Sequence, residues 1–528
     1  MRASLALVLL LLTSPAWGAT GTPWSTLGVV ADGQTDNTQA LNNLPTDKPI
    51  IADCPAGSFV RFNGVWQLKS NLNIRWLPGC EMVSYGAVPF ALEQRDLKTP
   101  ISNVTLDGIT IRKDQWRDTE RFLRAWIDHF KLLNWSFLTP NDGGMFLRGS
   151  CQEIAHGRYF STQFESGSPG IRHIGNMPKV TDKCEQIADV WVHSNHVISG
   201  DSAYQSCQPL QTSLWINVSS DDLLWEKNTG SGGTFLLVGA GGNYVDYSCT
   251  NITYRNIVGE GNHRGVLVSS AGPNNHIKNI SFINIQMDAS AANINSSFIH
   301  IRGDQMKDGD EPGNYSNLIF DNVSVYNTGV QAFAIDIPKT ATLDGLVIRN
   351  GIFDAPRIPT SGGSWFSTIS ISGGSNIVMQ NNIIRGKRTI GGNNVISVGH
   401  DNNSNDPKLV TNFTFIDNLV EQIPDNHAGL WLMNVANPLI KGNVIKRSPA
   451  PIGAPTQAAI RMTEAYRIQD GSAAPGTTDA LITGNVMSDM ASGIAWTCNG
   501  GSKSLATFNV GDEGHSCAPA EGARGTRR

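Results

Sequence analysis

An acidic residue occupies an unusual place in the segment ISGDSAYQSCQ, residues 198–208, because comparable turns carry Gly or Asn where this one carries Asp201. Other segments align with it: RFLRAW (121–126), MFLRGS (145–150), GIRHIG (170–175), DSAYQS (201–206), TFLLVG (234–239), RGVLVS (264–269), FIHIRGD (298–304) and AFAIDI (332–337). If these segments are neighbouring strands, alternate residues point to solvent. The predicted outward residues are Arg148, Arg172, Asp201, Gln205, Arg264, His300, Arg302 and Asp336. A one-residue slip reverses the facing of two further candidates, His173 and His263.

Two kinds of chemistry fit these residue types. Hydrolysis of a glycosidic bond needs one protonated and one ionised carboxyl group. Asp201 is the first candidate, and its possible partners are Glu165, Asp222 and Asp336. Elimination instead needs a cation that neutralises a uronate carboxylate and a base that removes the neighbouring proton. Candidates for these roles are Arg172, His173, His263, Arg264 and His300.

The remaining candidates would bind substrate. Guanidinium groups pair with carboxylates, and aromatic faces stack on sugar rings. Arg148, Gln205 and Arg302 are the predicted polar contacts, and the candidate aromatic faces are Trp126, Tyr204 and Trp215. Two alternative interpretations are simpler: the charged residues lie on a solvated sheet face, and the aromatic residues pack in a core.

Internal repeats predict the elements that position these residues. Asn-rich strand phrases recur at intervals of roughly 27 to 35 residues, a range typical of solenoids. Examples begin at Cys249, His276, Tyr315, Ser375 and Val410. Their strands are short and alternate in polarity, and one unit cannot bury its apolar face alone. The sequence therefore predicts an all-β, right-handed parallel β-helix, with stacked Asn side chains. A β-propeller is the alternative, but the repeats lack its WD and Gly-His signatures.

The segment LGVVADGQTDNTQAL, residues 27–41, resembles the motif that leads from a first strand into a short capping helix in the pectate-lyase-like β-helix superfamily. Asp36 or Asn37 can begin such a helix as its N-cap. In polygalacturonases, a branch of that superfamily, a G-D-D turn opens the strand that here begins Gly200-Asp201-Ser202. The family's N-T-D-G, G-H-G and R-I-K phrases are not matched. The resemblance implies the fold, and of the family's catalytic residues it carries over Asp201 alone.

Composition restricts the compartment and the partners. An apolar run from Leu5 to Leu12 followed by Ala16-Trp17-Gly18 predicts a signal peptide over residues 1–18, and therefore a secreted or periplasmic protein. The eight cysteines predict disulfides between sequence neighbours, namely Cys54/Cys80, Cys151/Cys184, Cys207/Cys249 and Cys498/Cys517. We expect no metal site and no cofactor, because no CxxC pair or HExxH motif is present. A net charge of −5 does not favour nucleic acid or membrane partners.

The predicted organisation is a signal peptide (1–18), an N-terminal cap with the first coils (19–100), the parallel β-helix (101–500) and a C-terminal cap with a polar tail (501–528). The predicted function is cleavage of a polysaccharide, with an acidic one favoured, by carboxyl-dependent hydrolysis. A polysaccharide lyase is the first alternative, and a noncatalytic glycan-binding surface protein is the second.

Overall fold

A computed structural model describes residues 20–516 of the chain with internal gaps. The segments that it leaves undescribed are 87–89, 95–96, 114–120, 139–143, 162–169, 176–183, 208–218, 240–247, 271–274, 292–296, 304–312, 327–330, 338–340, 355–366, 387–393, 400–408, 425–426, 448–457, 464, 468–472, 498–503 and 512–514. The predicted signal peptide, the Cys498/Cys517 pair and the tail beyond residue 516 lie outside the described residues.

The described chain winds into coils whose strands pair in parallel with the equivalent strands of the coils before and after. Three sheets result, which we call A, B and C in the order in which a coil passes through them. Sheet A contains Thr22–Pro23, Ile50–Ala52, Asn73–Trp76, Ile101–Asp107, the second half of Arg121–Leu133, Gln152–Ala155, Val190–His193, Ser219–Glu226, the first parts of Ser248–Gly259, His276–Asp288 and Asn314–Tyr326, then Thr342–Arg349, Gly374–Gln380, Val410–Ile416, Val435–Ala436, Leu439–Lys441, Leu481–Thr483 and Leu505–Thr507.

Sheet B contains Phe59–Phe62, Glu81–Ser84, Thr110–Lys113, Ser136–Leu138, Arg158–Phe160, the first parts of His196–Ser206 and Thr229–Gly239, the ends of the three long strands that begin at Ser248, His276 and Asn314, then Ile352–Phe353, Ile383–Arg385, Leu419–Ile423, Val444–Arg447 and Val486–Ser488. Sheet C contains Trp66–Gln67, Phe90–Glu93, the first half of Arg121–Leu133, Met145–Arg148, Ile171–Gly175, the second parts of His196–Ser206 and Thr229–Gly239, then Val266–Ser270, Ile299–Gly303, Phe333–Asp336, Ile369–Ser372, Ile396–Val398, Leu430–Leu432, Ala458–Thr463 and Ser492–Thr497.

Short elements complete the described chain. A 3-10 helix spans Trp24–Leu27, an α-helix spans Thr38–Asn42, and the strands Ala465–Arg467 and Ala473–Pro475 form an antiparallel pair. The final strand, His515–Ser516, pairs antiparallel with Leu505–Thr507. In the described part of the chain, helices are all too short or too polar to cross a membrane.

Asparagines form sharp bends in the coils, both within sheet A and at the corner between sheets A and B. Asn279, within sheet A, and Asn284, between sheets A and B, have φ values of 56° and 54°. This left-handed conformation is more accessible to Asn than to most residues. Exposed Asn side chains also bond along the stack, as in Asn317 Nδ2 to Asn279 Oδ1 at 3.0 Å. The predicted Asn stacking is thus confirmed.

The interior is built from equivalent residues of successive coils. Trp225, Tyr254, Phe282 and Phe320 stack with ring centroids 5.8, 5.2 and 4.6 Å apart. Each ring lies on the corresponding ring of its neighbour, which a single coil could not provide. The interior is therefore continuous along the stack.

The predicted all-β parallel β-helix is confirmed by these registers. The right-handed sense of the coil, the capping role of the Thr38–Asn42 helix and the domain boundaries stay predictions. Three of the predicted disulfides are confirmed, with Cα atoms 5.0 Å apart for Cys54–Cys80, 5.0 Å for Cys151–Cys184 and 6.0 Å for Cys207–Cys249.

Candidate functional site

Chemically active side chains concentrate on the outer face of sheet C. Equivalent residues of successive strands form a row there, which we call the outer row. It runs through Glu93, Arg124, Phe146, Arg172, Gln205, Leu237, Leu267, His300, Ala334, Ser370, Ser397, Trp431 and Arg461. Two residues farther along the strands, the structure pairs Trp126 with Arg148, and Arg302 with Ser269 and Asp336. The segments aligned from the sequence are thus neighbouring strands of one sheet.

Arg172 and Gln205 form the centre of this face. The Arg172 guanidinium lies over the ring of Phe146, 4.8 Å from its centroid, and its Nε donates to Gln205 Oε1 at 2.5 Å. Although both were predicted to point to solvent, these side chains are buried, with 6% and 1% of their surface exposed. Gln205 Nε2 has no hydrogen-bond partner among the described residues. A buried donor without a partner costs free energy, and an acceptor that reached it would remove that cost.

Arg148 is positioned in a similar way one coil earlier. Its guanidinium lies 4.3 Å from the Trp126 ring centroid. Burial lowers the pKa of Arg148, and the nearby Asp128 carboxylate opposes that shift. Burial also raises the pKa of Asp128, although its Oδ1 accepts a 2.9 Å hydrogen bond from the Ser150 backbone N–H. The register between this strand and Ile171–Gly175 shifts at Arg148, where the partner strand carries one extra residue, Ile174.

Arg264 and Arg302 lie near His300 and form a second cationic group on this sheet. This imidazole is half-buried, and burial together with the charges of Arg302 and Arg264 lowers its pKa to about 3. His300 is therefore neutral near pH 7. Arg264 is half-buried just before the strand Val266–Ser270, and the neighbouring His263 is exposed. Asp336 lies beside Arg302 and is half-buried.

Asp201 lies within the strand His196–Ser206, but its side chain is outside the described structure. The backbone around it has a register shift, because Ser199 pairs with Gly232 and Ser202 pairs with Thr234. One extra residue on this strand constitutes a β-bulge, a feature that redirects side chains and is frequent beside active sites. The predicted partner Glu165 lies outside the described residues, as does the aromatic candidate Trp215.

Three predicted site residues are placed elsewhere and need correction. His173 and Tyr204 point into the interior and are completely buried, because they alternate with the outward Arg172 and Gln205. Burial lowers the pKa of His173 to about 4. Asp222 is on sheet A, at a corner with φ 57°, and its Oδ2 accepts the Asp189 N–H at 3.1 Å. Neither the two interior residues nor Asp222 can contact a ligand on sheet C.

The sequence prediction also missed residues of the face. Arg124, within the aligned segment RFLRAW, bonds the Glu93 carboxylate and lies 4.2 Å from the Phe90 ring centroid. Its position in RFLRAW, fourth like that of Arg148 in MFLRGS, was the available signal. Asp128 offered no such signal, because it lies beyond the aligned segment, where the long strand Arg121–Leu133 passes into sheet A.

One cluster has the residue types of a metal site. Cys151, Cys184 and Asp189 place their ligand atoms within 4.8 Å of one another. The two cysteines are joined as a disulfide, so neither is a thiolate that could bind a cation. The cluster lies at the edge of sheet A and contributes nothing to the face of sheet C.

No protein-family profile and no curated protein matched the sequence. Among solved structures, a family 28 exopolygalacturonase of Yersinia enterocolitica matches with a TM-score of 0.45 and 12% identity, over 76% of this chain and 77% of that one. An exopolygalacturonase of Thermotoga maritima matches with 0.45 and 13%, over 68% and 91%. A tailspike protein of the E. coli bacteriophage HK620 matches with 0.41 and 12%, over 90% and 73%.

Proposed function

We propose that this protein is a secreted or periplasmic enzyme that cleaves an acidic polysaccharide along the outer face of sheet C. One observation carries the proposal: guanidinium and imidazole groups line one sheet face over successive coils, and three of the guanidiniums lie on aromatic rings. Guanidinium groups held in fixed orientations are suited to bind carboxylates through paired hydrogen bonds.

The local charge supports an anionic ligand. The chain as a whole carries a formal charge of −5, so a cationic face opposes its average. Among the described side chains of this face, the Glu93 carboxylate is bonded to Arg124, Asp336 is the neighbour of Arg302, and Asp128 lies near Arg148. The cationic groups outnumber these carboxylates, which favours a polyuronate over a neutral glycan.

Hydrolysis is the first candidate reaction. Asp201 is on the strand next to Arg172, at a bulge that can direct a carboxyl group toward a bound chain. In this reaction one carboxyl group protonates the leaving oxygen, and the second activates water or attacks the sugar. Asp201 is the candidate for one of these roles. Its predicted partner Asp336 lies four strands farther along sheet C, about 19 Å away, and is too distant to act with it on one bond.

Elimination is the second candidate, favoured by the group around His300. Arg264 and Arg302 would neutralise a uronate carboxylate and so acidify the adjacent C–H, and the neutral imidazole of His300 would accept the proton. A C=C bond then forms as the glycosidic C–O bond breaks, and the leaving oxygen takes a proton from water. A bound carboxylate would also offset the two positive charges that lower the pKa of His300.

The products of cleavage test the proposal. The full chain is incubated with polygalacturonate, alginate and a neutral glucan, while ultraviolet absorbance and reducing ends are followed together. New reducing ends without an unsaturated product indicate hydrolysis, and an unsaturated uronate indicates elimination. Cleavage or binding of the neutral glucan alone, or interaction with none of the three, would overturn the proposal. Binding of polyuronate without cleavage would leave the acidic ligand and remove the enzymatic part.

A further inference from the structure

The corner between sheets A and B changes character in the last coils. We call its left-handed residues, one from each coil, the corner column. In ten successive coils these residues are polar and have φ values between 51° and 58°. They are Asn134, His156, Ser194, Lys227, Asn256, Asn284, Asn322, Asn350, Asn381 and Asp417. The next three coils carry Gly442, Gly484 and Phe508 instead. The polar corner therefore ends in a part without polar side chains.

Phe508 is the unusual member of the corner column. Its φ of 55° is accessible to Gly and Asn but is an outlier for a bulky side chain. The residue also exposes 90% of its surface, more than any other large apolar residue that the structure describes. The same backbone conformation accommodates polar residues in the earlier coils, so the corner itself does not require Phe. A strained residue with an exposed ring points to a contact that its own coils do not provide.

Exposed aliphatic side chains extend this surface over the outer face of sheet B. The residues of one row there are Ile352, Ile383, Leu419, Val444, Val486 and Val510. The first three are half-buried and the three valines are exposed, Val510 by 63%. The row spans five coil intervals, or about 24 Å. We call Phe508 and the three valines the C-terminal patch. Contiguous apolar patches mark interaction sites, whereas scattered apolar residues do not.

The neighbouring segments that the structure leaves undescribed do not match the patch. Residues 498–503 (CNGGSK), 512–514 (DEG) and 517–528 (CAPAEGARGTRR) contain no Val, Leu, Ile, Met or aromatic residue. The described strand between two of these segments, His515–Ser516, is paired with Leu505–Thr507 at the edge of sheet A. The patch therefore needs an apolar surface from elsewhere.

The patch is complementary to a second copy of itself. Gly442, Gly484 and Phe508 occupy consecutive coils, so Gly484 lies midway between a projecting ring and a corner without a side chain. A Cβ atom added to Gly484 would meet no atom beyond its chain neighbours closer than 4.0 Å. A two-fold axis through Gly484, perpendicular to the stack, would place each Phe508 ring over the Gly442 corner of the other copy. The same axis would bring the two Val486 side chains together, which is the reciprocal contact of a two-fold dimer.

We propose that this protein forms an antiparallel two-fold dimer through the C-terminal patch, with each Phe508 ring packed on the Gly442 corner of the other copy. Phe508 alone would bury about 150–200 Å² per copy, and a stable homodimer needs about 800 Å² per copy. The valines and a polar rim beside them would supply the rest. Ion pairs in that rim join Asp354, Arg385, Glu421 and Lys446. The corner between sheets A and B lies opposite sheet C in each coil, so the dimer is independent of the proposed function.

Sedimentation velocity of the full chain, at about 1–100 μM, tests the dimer. We expect the wild type to dimerise in this range. Phe508→Asn, which restores a residue type of the earlier coils, should raise the dimer dissociation constant by about a hundredfold or more, because an aromatic anchor is lost. The thermal midpoint of the dilute monomer should not fall, since Asn adopts the left-handed conformation more readily than Phe.

A pair of identical replacements separates the patch from the rest of the row. Val486→Thr, inside the patch, should raise the dissociation constant by about tenfold, because a hydroxyl replaces a buried methyl group. Val258→Thr changes a valine of the same row on an earlier coil, exposed by 38% against 41% for Val486, and should leave the constant unchanged. Equal effects of the two replacements would contradict the assigned interface.

Cross-linking tests the position of the axis. Gly484→Cys should form a disulfide between copies under mild oxidation, because the axis brings the two residues together, and Val258→Cys should not. Cysteine tolerates this backbone conformation, as Cys151 and Cys207 have φ values of 54° and 64°. A wild type that stays monomeric at about 100 μM would overturn the proposal, including one that binds liposomes through Phe508 instead. A dimer that survives Phe508→Asn, or that Gly484→Cys fails to cross-link, would overturn it as well.

Discussion

Arginines on sheet C depend on aromatic neighbours for their orientation. The Arg172 guanidinium is fixed between the Phe146 ring and the Gln205 amide. A cation over an aromatic face contributes about 0.5–2 kcal/mol, and the bond to Gln205 further restricts a flexible side chain. Less rotational entropy is then lost when a ligand binds. An Arg172→Lys replacement would keep the charge and lose this fixed planar geometry.

Asp201 is the residue whose replacement tests hydrolysis most directly. Asp201→Asn keeps the size of the side chain but cannot ionise or transfer a proton. If Asp201 acts as acid, base or nucleophile, kcat should fall by about a hundredfold or more, the low end of such contributions. Turnover of the cleaved polyuronate is measured together with the thermal midpoint, which should change little.

The control for Asp201→Asn is Asp222→Asn. It should retain wild-type turnover, because the Asp222 carboxylate lies on sheet A and accepts a hydrogen bond from a backbone N–H there. Near-wild-type turnover by Asp201→Asn would exclude Asp201 and leave the His300 group as the catalytic candidate.

His173 should make stability depend on pH. Its pKa is about 4 in the folded protein, because of burial and then the charge of Arg148, and about 6.5 in an unfolded chain. Between these values the unfolded chain binds a proton that the folded protein does not, so the free energy of unfolding decreases as pH falls from about 6.5 to about 4. In the His173→Leu variant, the free energy of unfolding should fall by up to about 3 kcal/mol less over the same pH range.

Urea unfolding at pH 7 and at pH 4.5 measures the difference. A His276→Gln variant, altered at an exposed histidine of sheet A, is the control. An unchanged pH dependence in His173→Leu would contradict the assigned interior position of this side chain.

At the scale of elements, corners and bulges decide where side chains point. Strands in this fold are only a few residues long between bends, and a left-handed Asn such as Asn284 turns the chain from sheet A onto sheet B. Inside the corner between sheets A and B runs a buried ladder in which Asn382, Asn418 and Asn443 bond in succession, at 2.9 and 3.1 Å. The side chain of each Asn also bonds backbone of a neighbouring coil, as Asn418 Nδ2 does with Met379 O. The ladder thus fixes coil to coil at a turn that has no sheet pairing.

The ladder can be tested at its middle. Asn418→Ala would leave the Asn382 amide and the Met379 carbonyl buried without these partners. We expect the free energy of unfolding to fall by about 2–3 kcal/mol, since each unsatisfied buried group costs about 1–3 kcal/mol. Gln380→Ala, at an exposed site on the adjacent strand, should change it by less than about 0.5 kcal/mol. Equal effects of the two replacements would show that the ladder adds no stability.

At the scale of the whole molecule, each coil contacts its neighbours and little else, so stability is distributed along the axis. The described disulfides are all in the first 249 residues, where they span 26, 33 and 42 residues of sequence. The buried Asn ladder is longest in the later coils, from Asn382 to Asn485, and a shorter one joins Asn195 to Asn228 in the earlier coils. Among the described residues, the disulfides thus add to the stability of the first half.

Reduction should affect these halves unequally. In the chain-entropy description a disulfide that closes a loop of this length contributes about 3–4 kcal/mol. Hydrogen exchange with and without reductant should show faster exchange in strands up to about residue 255 and little change over 314–447. A Cys207→Ala/Cys249→Ala variant should localise the effect to the coils that this bond joins. Uniform acceleration along the chain would indicate that the β-helix unfolds as one cooperative unit.

Sequence alone predicted much of this protein. The repeat length, the Asn-rich turns and the short alternating strands indicated a stacked β-coil, because they reflect interactions repeated in every coil. The alignment of segments from RFLRAW to AFAIDI correctly placed Arg148, Arg172 and Arg302 on the same sheet. Cysteine neighbours also predicted three disulfides, since adjacent coils bring residues about one repeat apart into contact.

Tertiary structure alone decided which side chains share a face. His173 and Arg172 are adjacent in sequence, but strand alternation sends one into the interior and the other outward. The sequence predicted that Asp222 acts together with Asp201. Asp222 instead lies in a strand of sheet A, in a left-handed conformation. The rings that fix the arginines come from a preceding coil, more than twenty residues earlier in the chain. Such contacts depend on the register between coils, which local sequence patterns do not determine.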